Sequence, residues 1–152
     1  MRDLGTLGGV ESIAYGINDA GQVVGESNTE GYTHAFITGP DGMGMRDLGT
    51  LGGNWSYAYG ISEAGEAVGE SDTTEGDFRA FISPDGEGMV DLNSLVDLPD
   101  GVILTLAAGI NNEGQVIAAG VIPEPETYAL MLAGLGLIGF MGRRKKAENS
   151  HS

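Results

Sequence analysis

The chain repeats itself at an interval of 44 residues, and this feature constrains its fold more than any other. The nine residues MRDLGTLGG at 1–9 return unchanged at 45–53. After them, AYGINDAGQVVGES at 14–27 matches AYGISEAGEAVGES at 58–71, and a partial third copy, AAGINNEGQVIAAG, follows at 107–120. Internal repeats of this clarity indicate an array of similar structural units.

Each unit is predicted to contain four short strands joined by tight turns. In the first copy, SIAYGI, QVVGES, THAFIT and GMRDLGTL contain β-branched or aromatic residues, and NDAG and GPDG supply turn residues. No sustained 3.6-residue apolar period occurs before residue 122, so almost no helix is expected there. The predicted fold is therefore mainly β, with repeated four-stranded antiparallel meander units of about 44 residues.

Four strands in about 44 residues match the length of a β-propeller blade, typically ~40–45 residues. The Gly-His and Trp-Asp signatures of WD40 propellers do not occur in the sequence. About two and a half units are few for a closed propeller, which usually has 4–8 blades. We therefore expect blade-like units in an open or incomplete array.

The repeats resemble the HAF repeats of predicted extracellular bacterial proteins. The resemblance covers residues 1–120 and rests on His34, Ala35 and Phe36, and on the GIN-D/N-x-G-Q-V turn at 16–23 and 109–116. The second copy departs from it, because it holds arginine before Ala-Phe. The family implies an exported β-rich repeat array and no known activity.

The first residues raise the question of export. MRDLGTLGGV has no apolar segment of the kind that a signal peptide needs, and Met1 aligns with Met45 inside the repeat. The expectation is a chain that starts in mid-repeat, with upstream repeats and a signal peptide missing. The alternative is a complete short protein in which the MRDLGTL strand completes the sheet of a later unit.

Charge excludes one class of partner. Residues 1–122 hold three basic against nineteen acidic residues, a net charge of −16. Such a surface repels the phosphate backbone, so no nucleic-acid binding is expected. The chain has no cysteine, which excludes disulfides and thiolate metal sites.

The only long apolar run lies near the C-terminus. Residues 127–142 carry no charge and would form a helix about 24 Å long, short of the ~30 Å hydrocarbon core. Tyr128 suits one interface, and the basic residues 143–146 suit the cytoplasmic one. The prediction is one transmembrane-type helix with a cytoplasmic C-terminus, an acidic domain outside and a disordered tail at 147–152. The alternative is a buried core helix.

The segment 121–146 combines Pro-Glu-Pro, the apolar helix and the basic cluster in that order, and so resembles the PEP-CTERM sorting signal. The residues that carry the resemblance are Pro123, Glu124, Pro125, Arg143, Arg144, Lys145 and Lys146. The resemblance implies recognition and processing near the motif by an exosortase, a membrane-bound cysteine transpeptidase. Paired prolines keep such a segment extended and accessible. The chain would be anchored transiently in the inner membrane through 127–142, then reach the envelope or the extracellular matrix.

No catalytic constellation stands out. The two histidines are His34, in a strand where the second copy holds arginine, and His151 in the tail. The candidate carboxylates recur at equivalent positions, which indicates an architectural role rather than one asymmetric active site. The equivalent sets are Asp3, Asp47 and Asp91, and Glu26 and Glu70. The expectation is a non-enzymatic protein without a cofactor; a carboxylate-based glycoside-active enzyme is the lesser alternative.

Two binding hypotheses stay open. The loops with Asp41 and Asp47, and with Asp85 and Asp91, offer the oxygen ligands that calcium prefers, which suggests weak binding. The simpler interpretation is a type I turn with a glycine bulge. Trp55 has no aromatic counterpart in the first copy and is the candidate ligand contact of a lectin-like, exopolysaccharide-binding adhesin.

Overall fold

The computed structural model describes residues 3–122 and 138–139 of the 152-residue chain. The mainly-β prediction is confirmed, since 52% of the structure is strand and 5% helix. In chain order the strands are β1 (Ser12–Ile17), β2 (Val23–Asn28), β3 (Thr33–Ile37), β4 (Arg46–Gly49), β5 (Gly52–Ile61), β6 (Ala67–Thr73), β7 (Phe78–Ser83), β8 (Val90–Asp91), β9 (Ile103–Ile110), β10 (Gln115–Val121) and β11 (Ile138–Gly139). Two single-turn 3-10 helices lie at Pro40–Gly42 and Leu92–Ser94.

Two complete antiparallel meanders occupy the first part of the chain. The first unit is β1-β2-β3-β4 and the second unit is β5-β6-β7-β8, each strand pairing with the next. The first turn of each unit needs a glycine with positive φ, Gly21 at 81° and Gly65 at 85°. Each turn begins with a short polar residue, Asn18 or Ser62, and ends with this glycine. The two units therefore form the same hairpin.

The third unit contains β9 and β10, which pair as the first two strands of the other units do. Its remaining neighbour is β11, where Ile138 pairs with Val116 and Gly139 with Gln115. Ile138 and Gly139 belong to the segment predicted as a helix over 127–142, and at these two residues the structure has a strand instead. β11 lies along the edge of β10 that the third strand covers in the first two units, where the backbone groups of β10 would otherwise be unpaired.

The rest of that predicted helix, the Pro-Glu-Pro motif, the basic cluster and the tail at 147–152 lie outside the described residues. Among the residues that the structure describes, none belongs to a helix long and apolar enough to cross a membrane.

The units stack face to face. One core lies between the first and second units and the other between the second and third units. The innermost strands approach closely through glycines: a Cβ at Gly60 would lie 3.1 Å from the Cα of Gly109. A single parallel bridge, Thr33 to Trp55, joins the sheets of the first two units. The resulting sheet is open, with β1 at one edge and β8 at the other.

The loop between β3 and β4 differs from the turn expected there. Asp41 has φ 58° and Gly42 has φ 71°, the positive pair of a type I′ turn rather than type I. Hydrogen bonds to the preceding hairpin hold this conformation. The Asp41 and Gly42 amides donate to the Ala20 and Gly21 carbonyl oxygens at 3.0 and 2.8 Å. The corresponding loop of the second unit lacks the residue matching Gly39 and has positive φ only at Gly86.

Candidate functional site

Tyrosine–glutamate pairs link the first two strands in each of the first two units. The Tyr15 hydroxyl donates to Glu26, and the Tyr59 hydroxyl donates to Glu70 in the same way. The hydrogen bond to Glu26, with some burial, raises the pKa of Tyr15 to about 12. Burial, with the hydrogen bond to Glu70, raises the pKa of Tyr59.

The third unit holds Ala108 and Ala119 at the matching positions, so both members of the pair are replaced together. A tyrosine and its glutamate therefore act as one structural cross-strand element. The rings of Tyr15 and Tyr59 also contact each other, tilted by 57° with 5.3 Å between their centroids.

Of the four acidic residues predicted as calcium ligands, Asp41 lies in the type I′ turn, and the other three bond to separate local partners. Asp47 contacts His34, with 2.9 Å between Oδ2 and Nδ1, and also accepts the Gly49 amide at 2.7 Å. Asp91 accepts the Asn93 amide at 2.9 Å and so begins the second 3-10 helix. Asp85 accepts the Glu87 amide at 3.0 Å.

Over residues 3–122 and 138–139, no three carboxylate or histidine side chains converge in a way that could hold a metal ion. Weak calcium binding stays a prediction, as does the absence of enzymatic activity.

Trp55 lines an open groove of about 560 Å³ together with Tyr32. The two rings meet edge to face with 5.7 Å between centroids, and their side chains are 38% and 46% exposed. The groove wall also carries Asn28 and Glu30. Half-exposed aromatic faces beside amide and carboxylate groups are the composition that a saccharide ring requires for stacking and hydrogen bonding.

The sequence pattern points to Trp55 but not to Tyr32. The parallel bridge from Thr33 to Trp55 brings these two parts of the chain together, and it joins residues of different repeat units. The Thr29 hydroxyl accepts the Tyr32 amide at 3.0 Å and holds that loop. Tyr32 lies one residue before β3, and the second unit has Asp77 at the matching position. This difference between the two copies does not specify which residue Tyr32 contacts.

The described domain is thus an open array of stacked β-meander units with an acidic surface. Residues 121–145 match the family model described as the PEP-CTERM protein-sorting motif. This match confirms the predicted sorting signal and implies an exported protein with an exosortase-type processing partner. No curated protein and no solved structure matches the chain.

Proposed function

We propose that this chain is an exported, non-enzymatic repeat protein of the HAF type, which an exosortase-type system sorts to the cell envelope or extracellular matrix. The observation that carries the proposal is the sorting motif at 121–145. It follows directly on an acidic β array of the kind that remains soluble outside a cell.

The repeated positions of the acidic side chains support a structural rather than catalytic domain. Asp3 and Asp47 both accept the backbone amide two residues later, and Glu26 and Glu70 both accept a tyrosine hydroxyl. Carboxylates with the same partners in successive units stabilise the fold, whereas an active site needs one asymmetric arrangement.

In this proposal, residues 127–142 hold the chain in the inner membrane and 143–146 stay on the cytoplasmic side. The enzyme reads Pro123, Glu124 and Pro125 at the outer surface and processes the chain nearby. The acidic domain is then released to the envelope.

The test is intact mass spectrometry with membrane fractionation, on the chain secreted behind an added export signal in hosts with and without an exosortase. We expect the mass to fall by about that of the segment after Pro125 only where the enzyme is present. Full-length chain in the membrane of both hosts would mean a plain anchor and would contradict sorting.

Proline variants distinguish recognition of the motif from an effect on folding. Replacing Pro123 and Pro125 with alanine should leave the chain full-length in the host that has the enzyme. Pro99→Ala is the matched control, because Pro99 lies in an exposed loop of the array. Its processing should equal that of the unchanged chain, and a loss of processing there would point to folding rather than recognition.

The groove of Tyr32 and Trp55 favours a second candidate function, a lectin-like contact with exopolysaccharide. Trp55 is the single tryptophan of the chain, so its fluorescence reports on the groove directly. We expect saturable changes on titration with dextran or alginate. Both Trp55→Ala and Tyr32→Ala should weaken binding by about tenfold, near the ~1.5 kcal/mol upper range of aromatic stacking.

Tyr15→Ala is the control for this groove, because it removes a comparably exposed aromatic ring on a different part of the first unit. Because Trp55→Ala removes the only tryptophan, binding by this variant is measured by calorimetry. Equal losses of affinity in all three variants would indicate non-specific adhesion. No saturable change with either polysaccharide would remove the lectin-like candidate and leave the sorting proposal intact.

A further inference from the structure

The interface between the first and second units shows what a covered face looks like. We call the side of a unit that packs on the preceding unit its leading face, and the opposite side its trailing face. The leading face of the second unit buries Ala58, Ala67 and Phe81, with Ile61 beside them. The trailing face of the first unit supplies the opposing side chains, Val24, Ala35, Ile37 and Leu48.

Part of the leading face of the first unit is in the open, although Val23 and Phe36, at the positions of Ala67 and Phe81, are buried. Ala14 matches Ala58 but is exposed, and Ile17 matches Ile61 but is 68% exposed. Together with Leu4, Tyr15 and Val23 they line an apolar groove of about 650 Å³. The exposed part of this face has the composition of a buried interface, and no residue that the structure describes covers Ala14 or Ile17.

This face also carries the acceptor oxygens of the covered face, but without the backbone amides that bind them there. Between the first and second units, the Ser56 hydroxyl accepts the Ala35 amide at 2.7 Å, and the Glu63 carboxylate accepts the Asp19 amide at 2.9 Å. The matching oxygens of the first unit are those of Ser12 and Asp19. Neither accepts a backbone amide from any residue that the structure describes.

Residues 3–9 match residues 47–53, which begin with the end of β4, but residues 3–5 have no third strand to pair with in the described chain. Gly5 and Gly8 have φ 83° and 115°, against 81° and 117° for Gly49 and Gly52 at the matching positions. The amide at Gly5 bonds to Asp3 as that of Gly49 bonds to Asp47. Yet β4 pairs with β3, whereas within the described chain residues 3–5 pair with no strand.

We propose that the leading face of the first unit binds the trailing face of another four-stranded repeat unit of this same type. The added unit would place its third strand beside residues 3–5 and its apolar side chains over Ile17 and Ala14. Its amides would donate to Ser12 and Asp19, which repeats the contacts between the first and second units.

The occupant must be a complete unit with an uncovered trailing face. The first two units of a second copy do not qualify, since their trailing faces are already packed on the next unit. In the described part of the third unit, the strand beside β10 is the two-residue β11 rather than a five-residue strand such as β3, so this part offers residues 3–5 no equivalent partner.

The test is a full-length chain with one more copy of residues 1–44 joined directly before Met1. The junction reproduces the natural one, because Met45 follows Gly44 and residues 45–53 equal residues 1–9. Hydrogen exchange read by mass spectrometry should slow at least about tenfold at residues 3–5 and near Ile17, as for amides that become buried in a cooperative unit.

Two substitutions in the extended chain provide the contrast. Ile17→Asp should abolish the added protection, because it places a carboxylate in the new interface. Val10→Asp should preserve it, because Val10 is 96% exposed and its counterpart Asn54 stays exposed beside a covered face. Neither should alter exchange in the chain without the extra unit.

Three outcomes would overturn the proposal. The first is exchange at residues 3–5 that does not change when the unit is added. The second is protection that survives Ile17→Asp. The third is an unextended chain that self-associates and gains the same protection with rising concentration, because the occupant would then be a second copy rather than a complete unit.

Discussion

The Asn18 side-chain nitrogen donates to the Ser62 carbonyl oxygen at 3.0 Å, and this bond joins two turns that lie 44 residues apart. Within its own turn, Asn18 accepts the Ala20 and Gln22 amides at 3.1 and 3.0 Å. One side chain therefore closes a hairpin and ties two repeat units together.

Asn18→Ala is predicted to destabilise the fold more than Asn111→Ala does. Asn111 makes the same bonds within its turn, to the Glu113 and Gln115 amides, but bonds to no further unit in the part of the chain described. The difference in the free energy of unfolding should be about 1 kcal/mol, the net value of one hydrogen bond. Chemical denaturation of both variants measures it, and equal losses would mean that the inter-unit bond contributes nothing.

Gly69→Ala is predicted to destabilise the second unit by about 1–3 kcal/mol, as overpacking does. A Cβ at Gly69 would overlap the Tyr57 carbonyl oxygen on the neighbouring strand. The third unit has Ala118 at this position, and its strand pairing has an additional register shift between Ala119 and Gly120. Because the same hairpin forms there with an alanine, we expect Gly69→Ala to lower stability without preventing folding.

Gly31→Ala is the control for that prediction, since nothing lies within 4 Å of its added Cβ. Its thermal midpoint should match that of the unchanged chain. If the thermal unfolding midpoint of Gly69→Ala equals that of the control, the strands can move apart around the added Cβ without a loss of stability.

Stability is predicted to fall above about pH 10 as tyrosines ionise. Because the pKa of Tyr15 is raised from 10.0 to about 12, the folded state holds this proton more tightly than the unfolded state does. The contribution is complete below pH 10.0 and is lost as the pH rises through about 12. Denaturation at several pH values checks this. Tyr15→Phe should flatten the decline, whereas Tyr32→Phe, which removes a hydroxyl outside these pairs, should not.

Ile61→Ala is predicted to cost about 1–3 kcal/mol, because Ile61 packs against the core between the first two units. Ile17→Ala, at the matching position of the first unit, should change stability by under about 0.5 kcal/mol because its side chain is mostly in solvent. Urea denaturation compares the two. A similar cost at both positions would mean that the first unit's leading face is already covered in solution.

The local parts of the fold were predictable because they depend on neighbouring residues. The turns at Asn18–Gly21 and Ser62–Gly65 follow from a short polar side chain and a glycine with positive φ within four residues. The type I′ turn at Asp41 was not predicted, since its backbone is held by a different turn twenty residues earlier.

By itself, the sequence determined that this protein consists of repeated β meanders followed by a sorting motif, because both are written in short, contiguous patterns. Only the tertiary structure decided which faces are covered and which side chains meet. Tyr32 and Trp55 form a groove, and Ile17 is exposed where Ile61 is packed, because stacking joins residues that local pattern does not relate. Identical sequence motifs therefore differ in exposure according to whether another unit lies against them.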